Sequence, residues 1–206
     1  MTHILPLDSS PRGEASHSRQ ISREFVQAWL ETHPGDTVTS RDLGHQAIPH
    51  VSEEFIGAMY TPAEARTPAQ AAALTLSDEL IGELQAADVY VFGIPMYNFG
   101  VPSVLKAYID QIVRAGVTFN PATYEGLLKN KKMFVVTARG GGGYGPGEAH
   151  ESLNVQEPSL RTAFGLMGVS NIEFIHLNNL MPGDELKDAS RADVRREINA
   201  AISEAN

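Results

Sequence analysis

Cysteine is absent from the 206 residues of this chain. Without thiols the protein cannot form a disulfide framework, a thiolate metal site or a cysteine nucleophile. Positive charge is also scarce, because Lys and Arg number 16 against 25 Asp and Glu, for a formal net charge of -9. Nucleic acids and anionic membranes both reward clustered positive charge, so this balance argues against either as a partner.

Long apolar runs and several catalytic motifs are missing as well. No stretch reaches the roughly 18 apolar residues that a membrane-spanning helix needs. The N-terminus lacks the basic, apolar and small-residue pattern of a signal peptide, so we expect a cytoplasmic protein. There is no G-x-S-x-G, no H-E-x-x-H and no P-loop sequence, which excludes a nucleophile elbow, a metal site of that type and a Walker phosphate site.

Short apolar runs supply the strands of a predicted sheet. Residues 89–94 and 133–137 are rich in Val, Ile and Phe, as is typical of strands that helices cover on both faces. Similar runs lie at 4–7 and 172–177. A weaker, alternating run at 37–43 is expected at the edge, and the sequence therefore predicts five strands.

Amphipathic segments between these runs predict helices. The sharpest start is Thr67-Pro68-Ala69-Gln70, a capping box with proline at the first helical position. Strand and helix alternate along the chain, which predicts one α/β domain over residues 1–206, with a parallel sheet and helices on both faces. The predicted helices cover residues 18–32, 53–59, 68–86, 102–115, 159–167 and 188–204.

The loop after the first strand is the first candidate for binding. In an open parallel sheet, ligands bind beyond the carboxyl ends of the strands. Residues 8–18 contain four serines and lead into a helix, whose N-terminal N–H groups favour an anion. Such a loop suits a single phosphate held by neutral donors. The alternative is a polar turn with Ser18 as the helix N-cap.

The loop after the third strand, residues 95–102, combines methionine, aromatic and amide side chains. Met96 and the two aromatic residues could cover a flat ring while Asn98 reaches its polar edge. Taken alone, a hydrophobic lid over the core explains the loop as well. The glycine-rich loop at 138–147 lets main chain approach a ligand, or is a flexible surface loop. Its G-x-G-x-x-G match is discounted, because no helix follows it.

In order and spacing, these pieces resemble the FMN-dependent NADH-azoreductase family, flavodoxin-like enzymes that also act as quinone reductases. The resemblance covers essentially the whole chain and implies a three-layer flavodoxin-like fold with strand order 2-1-3-4-5. It is carried by Ser9-Ser10-Pro11-Arg12-Gly13, Ser16-His17-Ser18, Pro95-Met96-Tyr97-Asn98-Phe99, Arg114-Ala115-Gly116-Val117-Thr118-Phe119 and Arg139-Gly140-Gly141.

The resemblance also implies roles for individual residues. The serines and His17 would surround the phosphate of FMN, the loop after the third strand would wrap its ribityl chain and ring, and the glycine-rich loop would border the ring's pyrimidine edge. Relatives often carry serine at the position of Ala138, and residues 120–124 form a shorter segment than in many of them. The implied cofactor residues are Ser10, Ser16, His17, Ser18, Pro95, Met96, Tyr97, Asn98, Phe99, Ala138, Arg139, Gly140 and Gly141.

The implied activity is reduction of quinones to hydroquinones, and of azo compounds to aromatic amines, by NADH or NADPH in a ping-pong sequence. The family is dimeric, so we expect a homodimer whose acceptor pocket is lined by Met59, Tyr60, Phe119 and Tyr124. No side chain is expected to be an essential acid or base, since the flavin carries the chemistry. Two alternatives remain: a non-enzymatic flavodoxin-type electron carrier, which the acidic balance allows, and a nucleotide-binding or signalling module.

Overall fold

The computed structural model describes residues 1–46, 48–181 and 184–204. Within them a parallel sheet of six strands forms the middle layer, in the order β2-β1-β4-β5-β6, with β3 also paired to β1. The predicted order 2-1-3-4-5 is therefore confirmed, and the predicted number of five strands is approximate, because a sixth strand, β3, also pairs with β1. The strands are β1 His3–Asp8, β2 Thr37–Val38, β3 Arg41–Asp42, β4 Val89–Pro95, β5 Lys132–Ala138 and β6 Asn171–Leu177.

The extra strand arises because the predicted edge strand over 37–43 is split into β2 and β3. Both keep one register against β1, with Ile4 opposite Val38 and Leu7 opposite Arg41. The carbonyl groups of Ile4 and Asp8 point at this edge, where they accept from residues 39 and 43. Pro6, which lies between them and faces the same way, has no N–H to donate, so the ladder is interrupted there.

Helices cover both faces of the sheet, as the sequence predicts. α1 and α6 pack on one face through residues that include Phe25 and Val194, and Phe25 meets Phe134 of β5 with ring centroids 4.7 Å apart. α3, α4 and α5 pack on the other face through a second cluster that includes Tyr108 and Phe164. The helices are α1 His17–Thr32, α2 Glu53–Tyr60, α3 Pro68–Ala86, α4 Ser103–Ile112, α5 Gln156–Leu166 and α6 Asp184–Glu204.

Hydrogen bonds explain why α3 begins where the sequence predicts and why α4 ends earlier than predicted. The capping box is present, because Thr67 and Gln70 each accept from the other's backbone N–H. α4 ends at Ile112 instead of continuing to residue 115, since the Thr118 hydroxyl donates to the carbonyl of Ile112 at 2.8 Å and accepts from the N–H of Arg114 at 2.9 Å.

The first helix and the last two helices also begin earlier than predicted. α1 begins at His17 with Ser16 as its N-cap, so the interpretation of Ser18 as the cap is wrong. α5 and α6 begin at Gln156 and Asp184, a few residues before their predicted starts. None of the helices in the described part of the chain is long and apolar enough to cross a membrane.

Candidate functional site

A cavity of about 250 Å³ opens where the carboxyl ends of β1, β4 and β5 meet. Backbone hydrogen bonds join the neighbouring strand ends here. The N–H of Ser9 donates to the carbonyl of Gly93, and the N–H of Met96 donates to the carbonyl of Ala138 at 2.9 Å. The cavity is lined by Ser10, Arg12, Ser16, His17, Ser18, Pro95, Met96, Tyr97, Ala138, Gly140, Leu180 and Met181.

The serine loop, residues 9–18, brings buried hydroxyl groups to the start of α1. Ser10, Ser16 and Ser18 are each at most 2% exposed, and the hydroxyls of Ser16 and Ser18 lie 3.2 Å apart. The Ser16 hydroxyl accepts from the N–H of Arg19, and that of Ser10 accepts from Arg12, both at 3.4 Å. An α-helix leaves its first N–H groups without intrahelical acceptors, so this corner offers neutral donors in an electropositive position.

The turn after β4 has an unusual backbone. Tyr97 and Gly100 exchange two N–H···O bonds of 3.1 Å around Asn98 and Phe99. These central residues have φ values of 49° and 68°, and a phenylalanine in this left-handed region is unfavourable by about 1–2 kcal/mol. Strained residues of this kind cluster at ligand sites. Phe99 is 44% exposed and follows Tyr97, which lines the cavity, by two residues.

A buried ion pair supports the glycine-rich loop. Nη2 of Arg139 donates to Glu157 of α5 at 2.8 Å, and Asn154 donates to the same oxygen at 2.9 Å. Burial opposes ionisation of Glu157, but these hydrogen bonds outweigh it and lower the pKa of the carboxyl. His176 lies 2.9 Å from the hydroxyl of Thr137 and 3.4 Å from the carboxylate of Glu157, and burial lowers its pKa.

The predicted cofactor residues therefore divide into two groups. Most of them line the cavity; the exceptions are Asn98, Phe99, Arg139 and Gly141. The side chain of Arg139 forms the ion pair with Glu157. Its backbone N–H donates to the carbonyl of residue 177, and its carbonyl accepts from the N–H of residue 180. The other exceptions belong to loops whose neighbouring residues do line the cavity.

The predicted acceptor-pocket residues lie outside the cavity. The rings of Phe119 and Tyr124 stack with centroids 6.4 Å apart, and Tyr124 is 72% exposed. Met59 and Tyr60 end α2, where Tyr60 is 76% exposed. The structure thus shows two exposed aromatic sites, both outside the cavity lining.

Leu180 and Met181 are cavity residues that the sequence analysis missed. Both follow β6, and their N–H groups donate to the carbonyls of Arg139 and Gly140 at 3.2 and 3.0 Å. A Cβ at Gly140 would lie 2.8 Å from Cγ of Met181, so a larger residue there would require the Met181 side chain to shift. The available signal was topological, because β6 neighbours β5 and its carboxyl end reaches the same edge.

A larger cavity, of about 600 Å³, lies between α1 and the edge strands β2 and β3. Its lining includes Val26, Leu30 and Val38 together with the polar side of Arg19. Its lining includes Ser22 and Ser40 but neither the hydroxyls of the serine loop nor the N-terminus of α1, so the smaller cavity is the better site for a phosphorylated ligand.

Comparison with known proteins agrees with this geometry. The flavodoxin-like fold family model matches residues 2–202. The chain is 49% identical over 206 residues to an FMN-dependent NADH:quinone oxidoreductase of Nostoc punctiforme, with 99% of this chain and 100% of the relative covered. It is 48% identical to FMN-dependent NADH:quinone oxidoreductase 2 of Trichormus variabilis, with 98% and 99% covered.

Two solved structures are similar over nearly the whole chain. Azoreductase AzrA superposes with a TM-score of 0.87 at 26% identity, covering 98% of this chain and 99% of that one. An azoreductase from Bacillus anthracis str. Sterne superposes with a TM-score of 0.83 at 27% identity, covering 100% and 99%. With this match in sequence and in fold, the chain belongs to the flavodoxin-like fold family, and within it to the FMN-dependent NADH:quinone oxidoreductases and azoreductases.

Proposed function

We propose that this protein is an FMN-dependent oxidoreductase that uses NADH or NADPH to reduce quinones to hydroquinones and azo compounds to aromatic amines. The observation that carries the proposal is the group of buried serine hydroxyls at the N-terminus of α1, inside a cavity at the carboxyl edge of the sheet. The names of the relatives at 48–49% identity support FMN and NADH as cofactor and donor.

The donor set fits the phosphate of FMN. Ser10, Ser16 and Ser18 offer hydroxyls, and the first turn of α1 offers N–H groups and the positive end of the helix dipole. Arg12 lies at the rim and adds a cation. A phosphate monoester held mainly by neutral donors at a helix start matches this arrangement better than a triphosphate, for which the P-loop lysine is missing.

The remaining loops suit the ring of the cofactor. When bound, FMN supplies the centre that accepts and passes on hydride, so the protein contributes binding, orientation and electrostatics. The turn at Tyr97 to Gly100 presents aromatic surface beside the cavity. The carbonyl of Gly140 accepts from Met181, so the N–H of Gly141, in the same peptide plane, points the opposite way. We assign this N–H and Asn98 to stabilising negative charge on the ring.

We also propose a cytoplasmic homodimer in which the acceptor pocket is completed across the interface. The exposed aromatic residues Tyr60 and Tyr124 support this, because neither lines the cavity of its own chain. Reduced nicotinamide and the quinone or azo acceptor would use this pocket in turn.

A spectroscopic experiment tests the proposed function. The purified protein is expected to be yellow, to bleach when NADH or NADPH is added without oxygen, and to regain its colour with a quinone. A yellow protein that ignores both nucleotides would be an electron carrier. A colourless protein that takes up no added FMN would instead be the nucleotide-binding module.

Asn98→Ala tests the turn residue separately. We expect weaker FMN binding or slower reduction by NADH, with folding retained. Asn130→Ala is the matched control, since Asn130 also has a positive φ, of 57°, and lies in an exposed loop outside the cavity lining. If the Asn98 variant matches wild type in both FMN affinity and reduction rate, its assigned role is wrong.

A further inference from the structure

Arg19 is a buried cation directly behind the serine loop. It is the third residue of α1 and is 7% exposed. Its two terminal nitrogens donate to both carboxylate oxygens of Asp42 at 2.8 Å, a bidentate ion pair. Nη2 also donates to the carbonyl of Ser10 at 2.9 Å. One side chain therefore connects the start of α1, the edge strand β3 and the serine loop.

The chain after β3 packs against the same carbonyl. Gly44 packs so closely against the serine loop that a Cβ there would lie 2.1 Å from the Ser10 carbonyl oxygen and 3.0 Å from Nη2 of Arg19. The N–H groups of Leu43 and Gly44 donate to the carbonyl of Asp8, at 2.8 and 3.3 Å. The backbone at Ser10 is therefore in close contact with both Arg19 and Gly44.

The contribution of Arg19 is geometric more than electrostatic. Its charge is matched by Asp42 and further offset by Asp8, whose Oδ2 lies 3.5 Å from Nη1. A cluster with two carboxylates and one guanidinium gives no net attraction for a phosphate. Binding through hydroxyls and N–H groups, in contrast, demands their placement to within about 0.5 Å.

We propose that Arg19, held by Asp42, is a positioning residue that sets the serine loop for the phosphate of FMN, and thereby the preference for FMN over riboflavin. This inference rests on the proposed function, because it concerns the same cofactor site. Arg19 contacts the loop from behind and is not among the residues that line the cavity.

The test compares Arg19→Lys, which keeps the charge but loses the bidentate fork, with wild type. The dissociation constants of FMN and of riboflavin are measured by fluorescence quenching on the flavin-free protein, with thermal unfolding as the check of folding. We expect the dissociation constant of FMN to rise about tenfold, equivalent to about 1.4 kcal/mol, and that of riboflavin to change less than about threefold. Asp42→Asn should show the same pattern, and it decides the question if the Arg19 variant does not fold.

Arg41→Lys is the matched control. Arg41 precedes Asp42 on β3, and its side chain is also largely buried. It pairs with Glu79 and Glu83 of α3 and not with the serine loop. Its replacement should lower stability and leave the FMN-to-riboflavin ratio unchanged. The proposal is overturned if the Arg19 and Asp42 variants bind FMN as wild type does, if both flavins weaken equally, or if the Arg41 variant shifts the ratio as well. Failure of wild type to bind FMN would instead overturn the proposed function.

Discussion

Arg139 and Glu157 form an ion pair beneath the glycine-rich loop, with side chains that are only 2% and 18% exposed. The pair joins the residue after β5 to the first turn of α5. Removing one partner of such a pair leaves a buried charge without compensation, which costs several kcal/mol.

We therefore expect Glu157→Ala to lower the free energy of unfolding by about 3 kcal/mol. Glu173→Ala is the control, because Glu173 pairs with Lys132 at 3.0 Å but is 38% exposed, and exposed pairs contribute about 1 kcal/mol or less. Urea denaturation of both variants measures the difference. Equal losses in the two variants would show that burial of the Arg139 pair adds nothing.

Gly44→Ala should damage the site and the stability together. The Cβ would lie 2.1 Å from a backbone oxygen, so the serine loop has to move. We expect weaker FMN binding and a lower unfolding midpoint. Gly82→Ala is the control: in the middle of α3 its Cβ meets nothing within 4 Å, and the helix should gain up to about 1 kcal/mol. A Gly44 variant with wild-type FMN affinity would show that the close contact of Gly44 with the serine loop does not affect the FMN site.

Phe99→Gly separates backbone strain from ring contact. Glycine adopts the positive φ of 68° without penalty, and Asn-Gly is the preferred pair for such a turn. The flavin-free protein should gain about 1 kcal/mol in unfolding free energy. FMN binding should weaken, because aromatic cover is lost. Unchanged FMN affinity would show that the ring does not contact the cofactor.

The pH dependence of the free energy of unfolding should include a contribution from the ionisation of Asp8. Burial raises the pKa of Asp8 above its ordinary value of 3.8, against a hydrogen bond from Ser22 and the charge of Arg19. A group whose pKa is raised in the folded state adds to the free energy of unfolding at pH values below its pKa in the unfolded state. That contribution is lost as pH rises through its pKa in the folded state. The unfolding free energy of Asp8→Asn relative to wild type should therefore be more favourable at pH 7 than at pH 3.

Asp36→Asn provides the opposite sign for that comparison. Hydrogen bonds from the N–H of Thr2 and from the indole of Trp29 lower the pKa of Asp36. Its contribution is present above the unfolded pKa and is lost as pH falls through the folded pKa. The free energy of unfolding that this variant loses relative to wild type should thus be largest at neutral pH and decrease in acid. The same trend in both variants would refute the assigned shifts.

Ala138→Ser tests the position at which the family resemblance implies a serine. Ala138 ends β5 and lines the cavity with 8% of its surface exposed. An added hydroxyl that bonds to the cofactor should contribute about 1 kcal/mol, or roughly fivefold tighter FMN binding. A dissociation constant equal to or above that of wild type would show that this side chain does not meet FMN.

Much of the fold could be predicted from the chain alone, because the signals are local. The apolar run of β4, the capping box at Thr67 and the serine loop before α1 each act over a few residues. The splitting of the edge strand also has a local cause, the missing N–H of Pro6, but its effect appears only once β1 is paired with residues 37–42.

The sequence by itself determined which segments are strands and helices, that the sheet is parallel, and that the loops after β1, β4 and β5 reach its carboxyl edge, since periodicity, capping and right-handed crossover act without knowledge of distant partners. Only the tertiary structure decided that Arg19 meets Asp42 and Ser10, that Arg139 turns to Glu157, and that Met181 packs on Gly140. These contacts join residues far apart along the chain or on different elements, and their distances are set by packing the helices against the sheet, which no local pattern encodes.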